Sequence, residues 1–271
     1  PAEEVILEAR FGGYHPLRIQ RTIEMVHGGK RILSTKGKER LASMTGSAYR
    51  HMGSHFKRFN PKRKSKLDIS ATTDWTHHIN PGDAWCTDIY YSGVATMPFF
   101  RVIFDKVVPV GWVYGNTSKS VGDIDCADHA RTFYKPLVIF GDAAGEQLGG
   151  RMRDWMREHL IAFHSSTPGH QYQHGCEQYI SSLANITTYL MLDSQAPAKY
   201  TLRAAQHGCH IMATMHITID GRDTTGLREI FGNDMDLRVL KRWMCLCYVR
   251  LDKKERETFG THGYLALFSV C

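Results

Sequence analysis

The chain has 271 residues, 42% of them apolar and 23% charged, a balance that sustains a packed core in one large domain or two modest ones and excludes wholesale disorder. A net charge of +7 and a pI near 9.0 point towards a polyanionic partner, and no apolar run approaches the roughly 18 residues a membrane helix needs. Seven cysteines, odd in number and scattered through apolar stretches, fit reduced buried thiols and exclude a disulfide framework.

Residues 1–55 mix short helical patterns with glycine turns at Gly12-Gly13 and Gly28-Gly29. The opening Pro1-Ala2-Glu3-Glu4 has neither a signal-peptide pattern nor an initiator Met, so a fragment or a product cut from a longer, intracellular precursor is expected. A basic segment follows. Lys57, Arg58, Lys62, Arg63, Lys64 and Lys66 place six positive charges in ten residues, interleaved with Phe59 and broken by Pro61. That composition suits a solvated linker lying on phosphates, and equally a solvated loop with no partner.

From Trp85 the pattern becomes α/β. Ala84 to Tyr91, Phe99 to Val110 and Trp112 to Asn116 read as three strands punctuated by Gly93, Pro98 and Gly111. Asp123 to Tyr134 predicts a helix with Asp123 as its cap, and Leu137 to Phe140 a short buried strand. Arg151 to Leu160 predicts an amphipathic helix, and Ile161 to His164 a fifth strand. After a Gly/His/Gln-rich loop from Pro168 to Gly175, a long helix runs to about Leu192 and Pro197 opens another. Val239 to Leu251 and Gly263 to Val270 read as strands. The order βββαβαβαα is the RNase H-like arrangement. The expectation is a five-stranded mixed sheet flanked by helices, with a small N-terminal region and a C-terminal helix and strand extension.

Three acids stand out against this background. Asp88 interrupts the apolar run Trp85-Cys86-Thr87-Asp88-Ile89-Tyr90, where a charge is costly unless paired or bound to metal. Asp142 ends the fourth strand, and Glu177 opens the long helix. If the first and fourth strands are neighbours, Asp88 and Asp142 stand side by side and the helix brings Glu177 across them. Three converging carboxylates repel one another without a cation, and hard divalent ions such as Mg²⁺ prefer oxygen ligands of this kind. Paired metals can then activate the attacking oxygen and stabilise the leaving one in phosphoryl transfer. With 27 acidic residues the spacing alone is weak, and placement at strand ends and a helix start strengthens it.

The flanking residues carry a family resemblance. Pro81-Gly82-Asp83-Ala84-Trp85-Cys86-Thr87-Asp88-Ile89 resembles the first-strand motif of copia-type retrotransposon integrases. Trp112-Val113-Tyr114 with Ser118-Lys119-Ser120 is similar to their third strand and the Ser-Lys-Ser turn after it. Gly141-Asp142-Ala143-Ala144-Gly145-Glu146 resembles a degraded Ser-Asp-Asn-Gly-Gly-Glu, and Gln173-His174-Gly175-Cys176-Glu177 the Gln-Asn-Gly loop before the catalytic Glu, one residue shorter here. Leu190 to Pro197, Trp243 to Val249 and Gly263 to Phe268 continue the likeness in order through roughly residues 76–271. The resemblance implies a metal-dependent enzyme that processes DNA ends and joins them to target DNA, with Asp88, Asp142 and Glu177 as catalytic metal ligands for Mg²⁺ or Mn²⁺. It implies DNA as partner, with RNA open, a homo-oligomer or larger assembly, no membrane, and a nuclear location for an active integrase. Lys57, Arg58, Lys62, Arg63, Lys64, Lys66 and Lys119 are the expected nucleic-acid contacts.

On the same alignment the organisation is a degenerate zinc-binding-like region over 1–55, a basic linker over 56–75, a catalytic core over 76–195 and an extension over 196–271. Glu8-Ala9-Arg10-Phe11-Gly12-Gly13-Tyr14-His15-Pro16 and Met44-Thr45-Gly46-Ser47 resemble the family's zinc segments, but Glu8, Gly13, Met44 and Ser47 stand at the four ligand positions. A closed zinc site needs four N or S donors, so no zinc is expected there. His207, Cys209, His210, Cys245 and Cys247 are a weaker metal candidate, since buried cysteine usually acts as a small hydrophobe. Asp105 reads as structural. A second reading stands beside the enzyme: a domesticated, catalytically inactive integrase fold kept as a nucleic-acid-binding or structural component of a larger assembly.

Overall fold

The structure is a computed structural model and describes residues 10–26, 34–37, 39, 79–119, 123–141, 150–165, 176–250 and 263–267. Among the described elements, helix α1 (Pro16–Met25) comes first. Strands β1 (Ala84–Tyr91), β2 (Phe99–Asp105) and β3 (Gly111–Asn116) follow, then α2 (Asp123–Arg131), β4 (Val138–Gly141), α3 (Gly150–Glu158) and β5 (Ala162–Ser165). The C-terminal part holds α4 (Cys176–Ser194), α5 (Thr201–Thr214), the hairpin β6 (His216–Ile219) and β7 (Arg222–Thr225), α6 (Gly226–Phe231), and the pair β8 (Leu246–Arg250) and β9 (Gly263–Leu267).

Five strands form one sheet in the order β3-β2-β1-β4-β5. β1 pairs antiparallel with β2 and parallel with β4, β2 antiparallel with β3, and β4 parallel with β5. An antiparallel meander joined to two parallel crossover strands, with helices on both faces, is the RNase H-like fold. The expected neighbours, first and fourth strands, are adjacent.

Alternation along the strands divides the core. Ala84, Cys86, Phe100, Val102, Phe104 and Phe140 face α4 and α5. Trp85, Ile103 and Ile139 face α2 and α3, meeting Ala127, Ala130, Met152, Trp155 and Met156. Met152, Trp155 and Met156 lie at i, i+3 and i+4, one face of α3, and the Trp155 indole donates to Asp128 of α2 at 2.7 Å. On α4, Tyr179, Leu183, Ile186 and Leu190 recur every three or four residues and are buried in the first cluster.

Helix α1 belongs to that first cluster through Ile19 and Ile23, beside Phe11 and Val26. His15 caps it by accepting from the Leu17 amide at 3.3 Å, and Pro16 opens it. Gly13 has φ +74°, and a Cβ there would sit 2.6 Å from the Tyr189 ring. Packing against α4 accounts for that glycine.

Several boundaries differ from the sequence reading. The run Phe99 to Val110 is strand only to Asp105, because the Asp105 carboxylate folds Val107 and Val108 back onto itself, accepting from both amides at 2.9 Å. Helix α2 ends at Arg131, short of the expected Tyr134, whose ring turns inward against Trp85. Val239 to Cys245 is not strand: Leu240 and Trp243 are buried against the first cluster, and the strand begins at Leu246. The β6–β7 hairpin was not anticipated. Its turn, Asp220-Gly221, has positive φ at both residues, as a tight two-residue hairpin requires.

Candidate active site

Asp88 is the fifth residue of β1 and is half-buried. Its neighbours two residues away, Cys86 and Tyr90, both pack in the first cluster, so alternation puts the Asp88 side chain on the face that α4 and α5 cover. One of its oxygens accepts from the Ile89 amide at 2.7 Å. It pairs across the sheet with Val102 of β2.

On the other side of β1 the register with β4 is parallel, with Ala84 opposite Val138, Trp85 opposite Ile139 and Cys86 opposite Phe140. That offset is constant at 54 residues (138 − 84 = 54). Asp142 lies one residue past Gly141, where β4 ends, and so outside the described residues.

Glu177 is the second residue of α4 and is exposed. What seats this end of the helix is Tyr179, whose ring stacks on Phe104 with centroids 4.2 Å apart and planes 8° off parallel. The strand beneath has no side chain: a Cβ on Gly111 would lie 2.6 Å from the Tyr179 hydroxyl and 2.6 Å from the Phe104 Cβ. Gly111 read as punctuation in the sequence; its place inside a strand is the signal that another group approaches closely. Tyr179 could not be found by chemistry alone, since its part is to position the helix.

Lys119 is exposed just after β3. Its carbonyl accepts from the guanidinium of Arg101 at 3.3 Å, and its ammonium lies 5.9 Å from the Phe99 ring centroid. Arg101 pairs with Ile89 in the sheet, which sets Lys119 at the Asp88 end of β1. The other expected nucleic-acid contacts, Lys57, Arg58, Lys62, Arg63, Lys64 and Lys66, lie outside the described residues.

Asp88 and Glu177 are thus the two expected carboxylates the structure describes, one on the covered sheet face and one in the first turn of the covering helix. Among the described residues no group of three His, Cys, Asp or Glu side chains is gathered as a metal site. The donor chemistry nonetheless fits a hard divalent cation, since Asp88, Glu177 and Asp142 are all carboxylates. The softer candidates do not make a rival site. His207 is buried and its pKa is lowered to about 4, first by burial and then by His210. Burial pushes the Cys209 thiol up to about 12, beside the Tyr179 hydroxyl, so it stays protonated and serves as core.

Asp105 is buried at 2% exposure and clasps three backbone amides, those of Gly82 at 2.8 Å and of Val107 and Val108. It ties the turn before β1 to the hairpin after β2, a structural part as expected. Burial raises its pKa to about 6 against the lowering effect of the three amides.

No protein-family model matches the sequence. No curated protein matches it either. Solved structures with a related shape include the HTLV-2 integrase catalytic core domain in complex with magnesium. Its trimeric form gives a TM-score of 0.46 at 16% identity, covering 56% of this chain and 98% of that one. Its dimeric form gives 0.45 at 15% identity, covering 56% and 97%. The catalytic core domain of BIV integrase gives 0.42 at 11% identity, covering 59% and 93%. At these identities the likeness is one of shape, and it is the strand order and register of this chain that define its fold as RNase H-like.

Proposed function

We propose that this chain is a retroelement integrase of the copia type, a polynucleotidyl transferase that processes DNA ends and joins them to target DNA. One observation carries the reading. The β1–β4 register runs at an offset of 54 residues as far as Cys86 and Phe140, and the same offset separates Asp88 from Asp142, which supports pairing those two carboxylates. Alternation assigns Asp88 to the face under α4, whose first turn holds Glu177.

In this reading Asp88, Asp142 and Glu177 hold Mg²⁺ or Mn²⁺, which when bound activates a water or 3′-hydroxyl and stabilises the leaving oxygen. The protein's own contribution is positioning. β1 holds Asp88 on the sheet, and the Tyr179–Phe104 stack fixes the end of α4 that carries Glu177. Lys119 and the basic segment from Lys57 to Lys66 take backbone phosphates, contacts that orient a duplex without reading its sequence. The region over 1–55, the linker over 56–75, the core over 76–195 and the extension over 196–271 are the proposed divisions. A homo-oligomer or larger assembly on DNA, in the nucleus, is the proposed setting; no described helix is long and apolar enough to cross a membrane.

The test is a nicking and strand-transfer assay on short duplexes with Mg²⁺ or Mn²⁺, run beside Asp142→Asn. Metal-dependent product that disappears in the variant supports the enzyme and its site together. Full activity in Asp142→Asn refutes the site. No product from either protein, with DNA binding retained, selects the inactive integrase fold kept for its surface.

A further inference from the structure

A groove of about 500 Å³ opens between α1 and β6, away from the three carboxylates in sequence and built on different elements. Its walls include Arg18 and Arg21 from the helix and His216, Ile217 and Thr218 from the strand, with His15 among the lining residues. Arg18 and Arg21 are three residues apart and so share a helix face.

This groove is built rather than incidental. The helix and strand are locked together where Thr22 accepts from the His216 amide at 2.9 Å, in a buried contact. Arg18 donates through Nε to the His216 carbonyl at 2.9 Å, and its guanidinium lies 4.8 Å over the Tyr14 ring. Two anchors on one side chain hold the planar guanidinium in place, and its terminal nitrogens make no hydrogen bond among the described residues. A guanidinium fixed in this way presents paired N–H donors to an anion with little ordering left to do. Arg21 is exposed beside it. Asp223 of the next strand lies 2.9 Å from His216 Nε2 and accepts from the Thr218 hydroxyl at 3.1 Å, and it also feels the charge of Arg21, so an incoming phosphate shares that arginine with it.

We propose that the α1–β6 groove is a second nucleic-acid contact, taking backbone phosphates on Arg18 and Arg21. The arginines line the groove wall, and a chain of net charge +7 has a polyanion as its natural partner. The site rests on the polynucleotide reading above but uses none of its residues.

The experiment measures binding of the full chain to a 30-base-pair duplex in EDTA, with salt varied from 50 to 200 mM. Wild type is compared with Arg21→Glu and with the double variant Arg18→Gln/Arg21→Gln. Arg21 is exposed, so its variant keeps the test clear of folding. Losing two phosphate contacts flattens the slope of log affinity against log salt by about 1.8, and Arg21→Glu should flatten it by about half as much. A wild-type slope in both variants overturns the groove and leaves the enzyme reading standing. A wild type that binds no duplex overturns the polynucleotide reading and the groove with it. Inorganic phosphate is the second arm. Thermal stabilisation by phosphate that is lost in the double variant, without any change in duplex binding, assigns the arginines to a small anion and overturns the proposal.

Discussion

Asp88 is half-buried at a strand position where Asn fits the same space, so its charge is separable from its shape. Asp88→Asn should abolish metal-dependent nicking while shifting the melting temperature by no more than a few degrees, about 1 kcal/mol or less. Activity assays beside a thermal melt would check it, and retained nicking would remove Asp88 from the site. Gly13 is the opposite case. Its φ of +74° and the Tyr189 ring, 2.6 Å from where a Cβ would stand, both oppose a side chain. Gly13→Ala should cost about 2 kcal/mol or more in a denaturant titration, from strain and overpacking together. A neutral result would mean that the turn before α1 carries no packing role.

Helix α4 is the element on which the proposed chemistry turns, and its seat is the Tyr179–Phe104 stack over Gly111. Adding one methyl there meets the Tyr179 hydroxyl, the Phe104 Cβ and the Ile103 carbonyl, all within 2.8 Å. Gly111→Ala should therefore lift the first turn of α4 and carry Glu177 with it. The expected outcome is a loss of strand transfer of at least tenfold in protein that remains folded, because small displacements of positioned groups are heavily penalised. Circular dichroism with kinetics separates that from unfolding, and unchanged kinetics would show that Tyr179 does not position the helix. At its far end α4 is tied by a two-pronged bond from Arg242 to Asp193, at 2.8 and 2.9 Å. That bond holds the helix against the segment carrying Leu240 and Trp243.

For the whole molecule, two buried titrating groups pull stability in opposite directions. The folded pKa of Asp105 is raised to about 6 from 3.8, so the fold holds a proton the unfolded chain releases. That contribution is complete below pH 3.8 and is lost as pH rises to about 6. The folded pKa of His207 is lowered to about 4 from 6.5, so its contribution is present above 6.5 and is lost as pH falls towards 4. Each is worth about 3 kcal/mol, and between pH 4 and 6 the two slopes offset. Asp105→Asn should leave a fold that gains stability from pH 4 to 6 relative to wild type. His207→Leu should leave one that loses it. Denaturant titrations at the two pH values check both, and parallel profiles for all three proteins would sink the assignment.

How much of this was legible beforehand varies with the range of the interaction. The five strands, their order and the helices between them followed from apolar runs broken by glycine and proline, which are local signals. Asp88 and Glu177 stood out because a charge inside an apolar run and an acid at a helix start are unusual wherever the chain goes. The early end of β2 depended on Asp105 finding three amides, one of them 23 residues away, and no local pattern encodes that. The same holds for Trp243, whose burial against distant helices removes it from the strand its neighbours suggested. Joining α1 to β6 brings together residues about 200 positions apart, as the bond from Arg18 to His216 shows, and the arginine groove exists only through that contact. By itself, then, the sequence determined the run of strands and helices from β1 to α4 and the acids worth testing, because hydrophobic period and turn chemistry act over a few residues. The tertiary structure alone decided which side chains share a face, what seats α4 and where a second basic surface forms, because those depend on packing between segments the chain keeps far apart.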